Sequence, residues 1–418
     1  MRRGSVCWQA GGVSLFILFL PCLTRPCFAY SVVMHEAIID AEWDNHIRPI
    51  LLKRYPLATA ADLRQAKSCA YGGSVIQDMG YYPLSGRFFS HLTHYVRSGD
   101  FVQALIDEST DINDYAFALG ALSHYSADIK GHSLGVNRAV PLLYPRLSKK
   151  YGDYMTWEDS PYAHVLTEFA FDTLEVVAGH VAPQKYHDWI GFRVPEPLLR
   201  RAFRDTYGLE MKDELFCPRL ALVTYRKFAS SVIPEMTEVA WALRGKSLES
   251  RAGSLHHRTL FHLRSPRIEA SWEKTRKRPG PGDKLTAMIF RLLPKFGPLD
   301  VFQFHTPTEE TEELFADSLK AVVVDYEFRM TDGRFKLPEL NLDTGRPTRP
   351  GEYKYGDATY ARWLEKLARG HFTGVTGAMQ ADILSFYRDS TLDSMRRNSR
   401  QWRRVQRDVK QLASIHTP

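Results

Sequence analysis

His124, Asp128 and His132 recur every four residues within Leu119–Asn137, LGALSHYSADIKGHSLGVN. On an α-helix a four-residue step turns a side chain by only about 40°, so the three share one stripe. The approach to that stripe is apolar (Tyr115, Phe117, Ala118, Leu119, Ala121, Leu122, Tyr125), which predicts a helix sunk in a core. Imidazole and carboxylate groups are costly to bury unpaired, and neutral imidazole nitrogens with a carboxylate are the donors a zinc ion takes. The alternative is a stripe turned to water with Asp128 paired to a histidine. Spacing alone leaves both open.

Other pairs bear on that choice. His164 and Glu168 stand one turn apart in YAHVLTEFAFD. The stretch GGSVIQD ends in Asp78, just past a predicted helix, and His91 and His94 follow it. His35 lies at the start of the first helix after the N-terminal segment. A second histidine–acid helix in the same chain favours the metal reading. His256, His257 and His262 have no acid at a helical step and lie in a basic stretch, so they are set apart from the site.

Helices must position these groups, because strand-like alternation is scarce. Helical periodicity marks Met34–Tyr55, Ala60–Tyr71, Asp100–Leu105, Asn113–Ile129, Tyr162–Ala178, Leu220–Leu243, Glu309–Phe328, Tyr360–Ala368 and Gly377–Tyr387. Thr59 followed by Asp62, and Thr308 before Glu309 and Glu310, read as helix starts. The fold class expected is all-α, a multi-helix bundle. Arg244–Lys284 is basic and ends in RKRPGPGDK, which reads as a loop or linker between a catalytic domain (30–243) and a helical C-terminal region (285–418). Leu337–Tyr355, rich in Pro, Gly and Asp, is a second irregular stretch. The final helix, Thr391–Ile415, carries Arg396, Arg397, Arg403, Arg404 and Arg407, a solvated face with a weaker case for anionic lipid headgroups.

At 418 residues and 44% hydrophobic, the chain can bury a sizeable core. Arg2 and Arg3, the apolar run Val13–Leu20, a break at Thr24–Pro26 and the small Ala29 make residues 1–29 a secretory signal peptide, with Tyr30 as the mature first residue. Pro precedes both Cys22 and Cys27, so neither sits in a lipoprotein context. Removing Arg2, Arg3 and Arg25 lowers the formal charge of +7 by three, to +4, a mild excess that does not imply nucleic acid. Cys69 and Cys217 remain, either disulfide-bonded or as two separate thiols. No later apolar run approaches 18 residues, so no span is expected after the signal.

In order and spacing these pieces resemble the zinc-dependent phospholipase C family, and locally the N-terminal domain of glycosylphosphatidylinositol-specific phospholipase D. SHYSADIKGHSLG carries most of the likeness, through H-x-x-x-D-x-x-x-H and the trailing HSLG. Single-strand-specific zinc nucleases and small bacterial phospholipases C usually have two more residues between the acid and the second histidine. The resemblance covers roughly Tyr30–Ala178 and implies a site of two to three zinc ions inside a helical bundle. By motif position, Tyr30 (through its amine and carbonyl), His35 and Asp128 would share one ion. Asp78, His94, His124 and a bridging Asp128 would hold a second, and His132, His164 and Glu168 a third. THYVRSGDF selects His94 over His91. Asp78 would serve both as ligand and as general base beside a zinc-activated water.

The function so implied is an exported, zinc-dependent phosphodiesterase cleaving phospholipid or glycolipid phosphodiesters, with peripheral contact to a membrane surface. Tyr71, Tyr81, Tyr82, Phe88 and Phe89 are candidates for a headgroup or acyl pocket, or else core. A nuclease or nucleotidase of the same superfamily would want basic strand contacts and base-stacking clefts, and neither is evident. A catalytically inert metal-binding protein is the reading from another class.

Overall fold

Helix starts in this chain are written locally, and the computed structural model shows them being used; it describes residues 32–255, 297–331, 336–388 and 399–416. α1 (Val32–Glu42) passes through a π-helical turn (Trp43–Ile47) into α2 (Arg48–Arg54). α3 (Ala60–Gly73) begins with the capping box expected of Thr59 and Asp62, each side chain bonding the other's backbone N–H. A 3-10 turn (Ile76–Tyr81) leads to α4 (Arg87–Tyr95) and α5 (Ser98–Asp107). α6 (Ile112–Lys130) is capped by Asp111, which accepts from Asn113 and Asp114. It does not stop at Lys130 but runs through a second π turn (Gly131–Val136) into α7 (Asn137–Leu143), followed by α8 (Pro145–Tyr151).

α9 (Pro161–Ala178) opens on the Ser160 cap with Pro161 in its first turn, and closes on Gly179 at φ 77°. Next come α10 (Gln184–Ile190), α11 (Glu196–Tyr207), α12 (Met211–Glu214) and α13 (Pro218–Lys227), which continues by a third π turn (Phe228–Val232) into α14 (Ile233–Leu255). After a 3-10 turn (Gly297–Gln303) stand α15 (Glu309–Thr331), strands β1 (Leu340–Asn341) and β2 (Arg346–Pro347), α16 (Lys354–Arg369), α17 (Gly377–Arg388) and α18 (Ser399–Ala413). The all-α reading holds; β1 and β2 form only a two-residue antiparallel hairpin.

α6 is the axis. It is buried from Ala116 to Ile129 and packs against α3, α5 and α15. Gly73 of α3 and Gly120 of α6 make the closest approach possible: a Cβ on either would overlap a carbonyl oxygen of the other helix, that of Phe117 or Ala70. α1 is buried along its whole length. One apolar cluster runs from Val32 to Leu412 and therefore takes in residues of α15 to α18. A second, smaller one joins α9, α14 and the 3-10 turn through Phe169, Trp241, Leu248, Phe302 and Phe304.

Several expectations change. The stretch read as a loop from Arg244 is helical as far as Leu255, because its Arg and Glu residues are good helix formers and Leu248 is buried one side of them. The sequence periodicity gives no helix for α4, α7, α8, α10, α11 and α12; all but α11 have nine residues or fewer, and α8 and α11 carry a proline in the first turn. Cys69 and Cys217 are free thiols, one buried and one partly so, which leaves the disulfide option unused. In α18 Val405 and Leu412 face inward while Arg403, Arg404 and Arg407 are exposed, and Arg404 pairs with Glu365 at 2.8 Å. Residues 1–31, including Tyr30, and His256, His257, His262, Arg396 and Arg397 lie outside the described residues. Among the described residues no helix is long and apolar enough to cross a membrane.

Candidate metal centre

Six elements bring eight side chains to one point inside the bundle. α1 supplies His35, the first 3-10 turn Asp78, α4 His94, α6 His124 and Asp128, the second π turn His132, and α9 His164 and Glu168. Each is buried to within a few per cent. The i→i+5 bonding of the π turn alters the facing of every residue beyond it, and π turns recur where a helix serves a site. Here the turn leaves His132 with its Nε2 3.8 Å from Asp128 Oδ1. His91 does not join the cluster; its ring packs with Tyr95 and Tyr355.

The imidazoles are oriented from behind. His94 Nδ1 donates to the Ser90 carbonyl at 2.7 Å and His124 Nδ1 to the Ser74 carbonyl at 3.0 Å. His164 Nε2 donates to the Met155 carbonyl at 2.8 Å. A carbonyl accepts only, so these bonds fix the tautomers and leave the other nitrogen of each ring as a lone pair aimed inward. His94 Nε2 then lies 3.2 Å from Asp78 Oδ1 and 3.3 Å from Asp128 Oδ2, and His124 Nε2 3.2 Å from the same Asp128 oxygen. His35 Nε2 is 3.6 Å from Asp128 Oδ1, with its ring stacked on His124. His164 Nδ1 and His132 Nε2 lie 3.8 and 3.9 Å from Glu168 Oε1.

Lone pairs facing carboxylates repel unless a proton or a cation stands between them. Both oxygens of Asp128, both of Glu168, Asp78 Oδ1, His94 Nε2, His124 Nε2 and His164 Nδ1 are buried without a hydrogen bond of proper geometry. Such atoms are rare in a folded protein, and a group of them converging on one point is a donor set. The charge balance agrees. Burial opposes a proton on His94, yet Asp128 and Asp78 outweigh it and push the imidazole up to about 10. Burial drives Glu168 well above the ordinary carboxylate range, reinforced by Asp128 and Asp78. The protein alone must take up protons to hold these acids together, whereas divalent cations would balance them directly. Among the described residues four sets have ligand atoms close enough to share an ion: three in this cluster, namely His35, His124 and Asp128; Asp78, His94 and His124; and His132, His164 and Asp343; and a less buried one apart from it, Glu42, His46 and Glu327. Asp128, within reach of four of the histidines, stands between the three in the cluster.

Asp343 escaped the sequence reading. It lies in the turn of the β1–β2 hairpin, where Oδ1 accepts from His132 Nδ1 at 3.1 Å and Oδ2 from the Trp157 backbone N–H and the Tyr353 hydroxyl, both at 2.9 Å. NLDTG reads locally as a turn, and no periodicity links a residue at 343 to one at 132. A cleft of ≈ 240 Å³, part of it open to solvent, reaches the cluster between Tyr81, His94, Tyr95, Asp128, His132, Trp157 and Asp343. Of the aromatic candidates only Tyr81 lines it. Tyr71, Tyr82, Phe88 and Phe89 are core.

Residues 34–217 match the family model described as zinc dependent phospholipase C. The chain carries a zinc-dependent phospholipase C family domain. The matched span holds every described member of the cluster from His35 to Glu168 and ends well short of Asp343. No curated protein and no solved structure shows a significant match to the chain. The matched family is described as zinc-dependent, a domain of that family supports phospholipid hydrolysis in general terms, and the buried donor set fits that metal.

Proposed function

We propose that the protein is an exported phosphodiesterase that uses two to three zinc ions to hydrolyse phospholipid or glycolipid phosphodiesters. The observation that carries this reading is the set of histidine lone pairs fixed from behind and turned on Asp128, Asp78 and Glu168 beneath a cleft walled by aromatic rings. Asp128 would be the ligand shared between ions, since its Oδ1 lies toward His35 and His132 and its Oδ2 toward His94 and His124. Asp78, His94 and His124 form its partners on one side, and His132, His164 and Glu168 on the other. Tyr30 would join His35 once the chain is cut after Ala29.

Zinc, when bound, polarises a phosphoryl oxygen and lowers the pKa of a water toward neutrality. Asp78 would take the proton of that attacking water. As the new P–O bond forms in line, the bond to the leaving oxygen would break, and that alkoxide would be protonated to the alcohol by water or by the proton Asp78 has taken up. Tyr81, Tyr95 and Trp157 narrow the approach, exclude bulk water and offer apolar surface to the lipid end of the substrate.

The test is a parallel assay on phosphatidylcholine, an inositol-glycan lipid and single-stranded DNA, using secreted protein whose terminus has been sequenced and whose metal content has been measured. Cleavage of a lipid by protein holding two or three zinc ions is expected. Cleavage of DNA alone would transfer the protein to the nuclease branch. Bound zinc with no turnover on any of the three would leave an inert metal-binding protein.

A further inference from the structure

Asp343 lies 211 residues from the histidine it touches and outside the span that matches the family. We propose that it is a positioning residue of the metal centre, and that the segment from Leu337 to Tyr355 belongs to the catalytic unit. This rests on the zinc reading of the site.

The hairpin is built into its place. The Leu342 N–H donates to the carbonyl of His94 at 3.0 Å, tying hairpin backbone to a member of the cluster. Asn137 Nδ2 donates to the Asp343 carbonyl at 2.7 Å. Asn341 Oδ1 accepts from the backbones of Asp343 and Thr344 and so shapes the turn. Gly345, at φ 66°, passes so near α6 that a Cβ would meet the Ile129 carbonyl oxygen at 2.5 Å, one residue from Asp128. Further out, Ser98 Oγ bonds the Leu340 carbonyl and Thr348 Oγ1 the Tyr95 carbonyl.

The carboxylate has a defined task at the end of this scaffold. A carboxylate accepts only, so the His132–Asp343 bond puts the ring proton on Nδ1 and the lone pair on Nε2, which faces Asp128 and Glu168. His94, His124 and His164 use backbone carbonyls for the same purpose. His132 sits in the π turn and takes a side chain instead, an arrangement that raises the basicity of a ligating imidazole. Oδ2 adds a second effect: through the Trp157 N–H and the Tyr353 hydroxyl it ties the wall of the cleft to the same carboxylate.

Asp343→Asn is the decisive variant because it is isosteric. An amide turned with its NH2 toward His132 favours the other tautomer and removes the Nε2 lone pair. Turned the other way, it cannot accept from Trp157 and Tyr353. Zinc is titrated in competition with a chromophoric chelator, and the Co2+-substituted proteins are compared by visible absorption. One ion held ~10–100-fold more weakly, with an altered Co2+ spectrum, is expected for Asp343→Asn. Ser98→Ala loosens the hairpin without touching His132, and it should keep wild-type zinc affinity. The proposal falls if Asp343→Asn retains every ion at wild-type affinity, or if Ser98→Ala weakens zinc as much. A wild-type chain that binds no zinc would overturn the proposed function itself, and this inference with it.

Discussion

α1 separates two buried charged clusters, and they behave in opposite ways. On one side His35 faces Asp128. On the other, Glu36 and Asp40 meet Lys67 and His187: Lys67 Nζ lies 2.6 Å from Asp40 Oδ1, His187 Nδ1 2.6 Å from Glu36 Oε2, and His187 Nε2 3.1 Å from Asp40 Oδ2. Tyr71 donates to Asp40 as well, and Lys67 to Tyr186. Both nitrogens of His187 point at carboxylates, so this ring is an imidazolium. Burial opposes its charge, but Glu36 and Asp40 overcome that and push it up to about 10. Burial likewise works against the Asp40 anion, and Lys67 and His187 still bring it down to about 2. None of these side chains has an orphaned buried polar atom, whereas the cluster around Asp128 is full of them. Burial of charge therefore does not mark a site. Charge that the protein does not balance with its own groups does.

The comparison can be broken in order of effect. Asp128→Asn should cost more than the ~100-fold seen for supporting residues in zinc affinity and turnover, with helix content by circular dichroism nearly unchanged. Chelation of the wild type should reproduce the loss of turnover. Lys67→Met should do the reverse: removing one partner of a buried ion pair costs ~3–5 kcal/mol, read by urea unfolding, while zinc content persists. If Lys67→Met strips the zinc, or Asp128→Asn unfolds the protein, the two clusters are not functionally distinct.

A smaller effect follows from pH. His187 has a folded pKa raised above its unfolded value, near 6.5. Its stabilisation is therefore complete below about pH 6.5 and lost as pH rises toward 10. Metal-free protein should lose stability across that window through His94 as well as His187, so His187→Gln should reduce the slope without abolishing it; a slope unchanged in the variant would assign it elsewhere. The smallest effect is Thr59→Ala, which removes the α3 capping box and should cost ~1 kcal/mol in urea unfolding. Because α3 carries Lys67 and also leads to Ser74, whose carbonyl orients His124, this variant measures generic loss of that helix. It should alter neither zinc content nor the pH slope.

Much of the site was legible because its members sit close together in sequence. His124–Asp128–His132 and His164–Glu168 are ladders within single helical runs, where spacing alone implies a shared face. His94 was separable from His91 only by its sequence context, and the structure brings His94 alone into the cluster. The helical character of Arg244–Leu255 is masked by its basic composition and the linker-like RKRPGPGDK beyond it, though Arg and Glu favour helix and Leu248 is buried. Asp343 was illegible because nothing local distinguishes a turn aspartate that reaches a histidine from one that faces water.

The sequence by itself determined the all-α class, the helix caps and the in-line donors, since each depends on φ/ψ preference and side-chain periodicity over a few residues. Only the tertiary structure decided which carboxylates are balanced and which are left for a cation. That depends on which groups α3, α9, α10 and the distant hairpin bring to either side of α1, and electrostatic balance in a buried space is a property of neighbours across the fold.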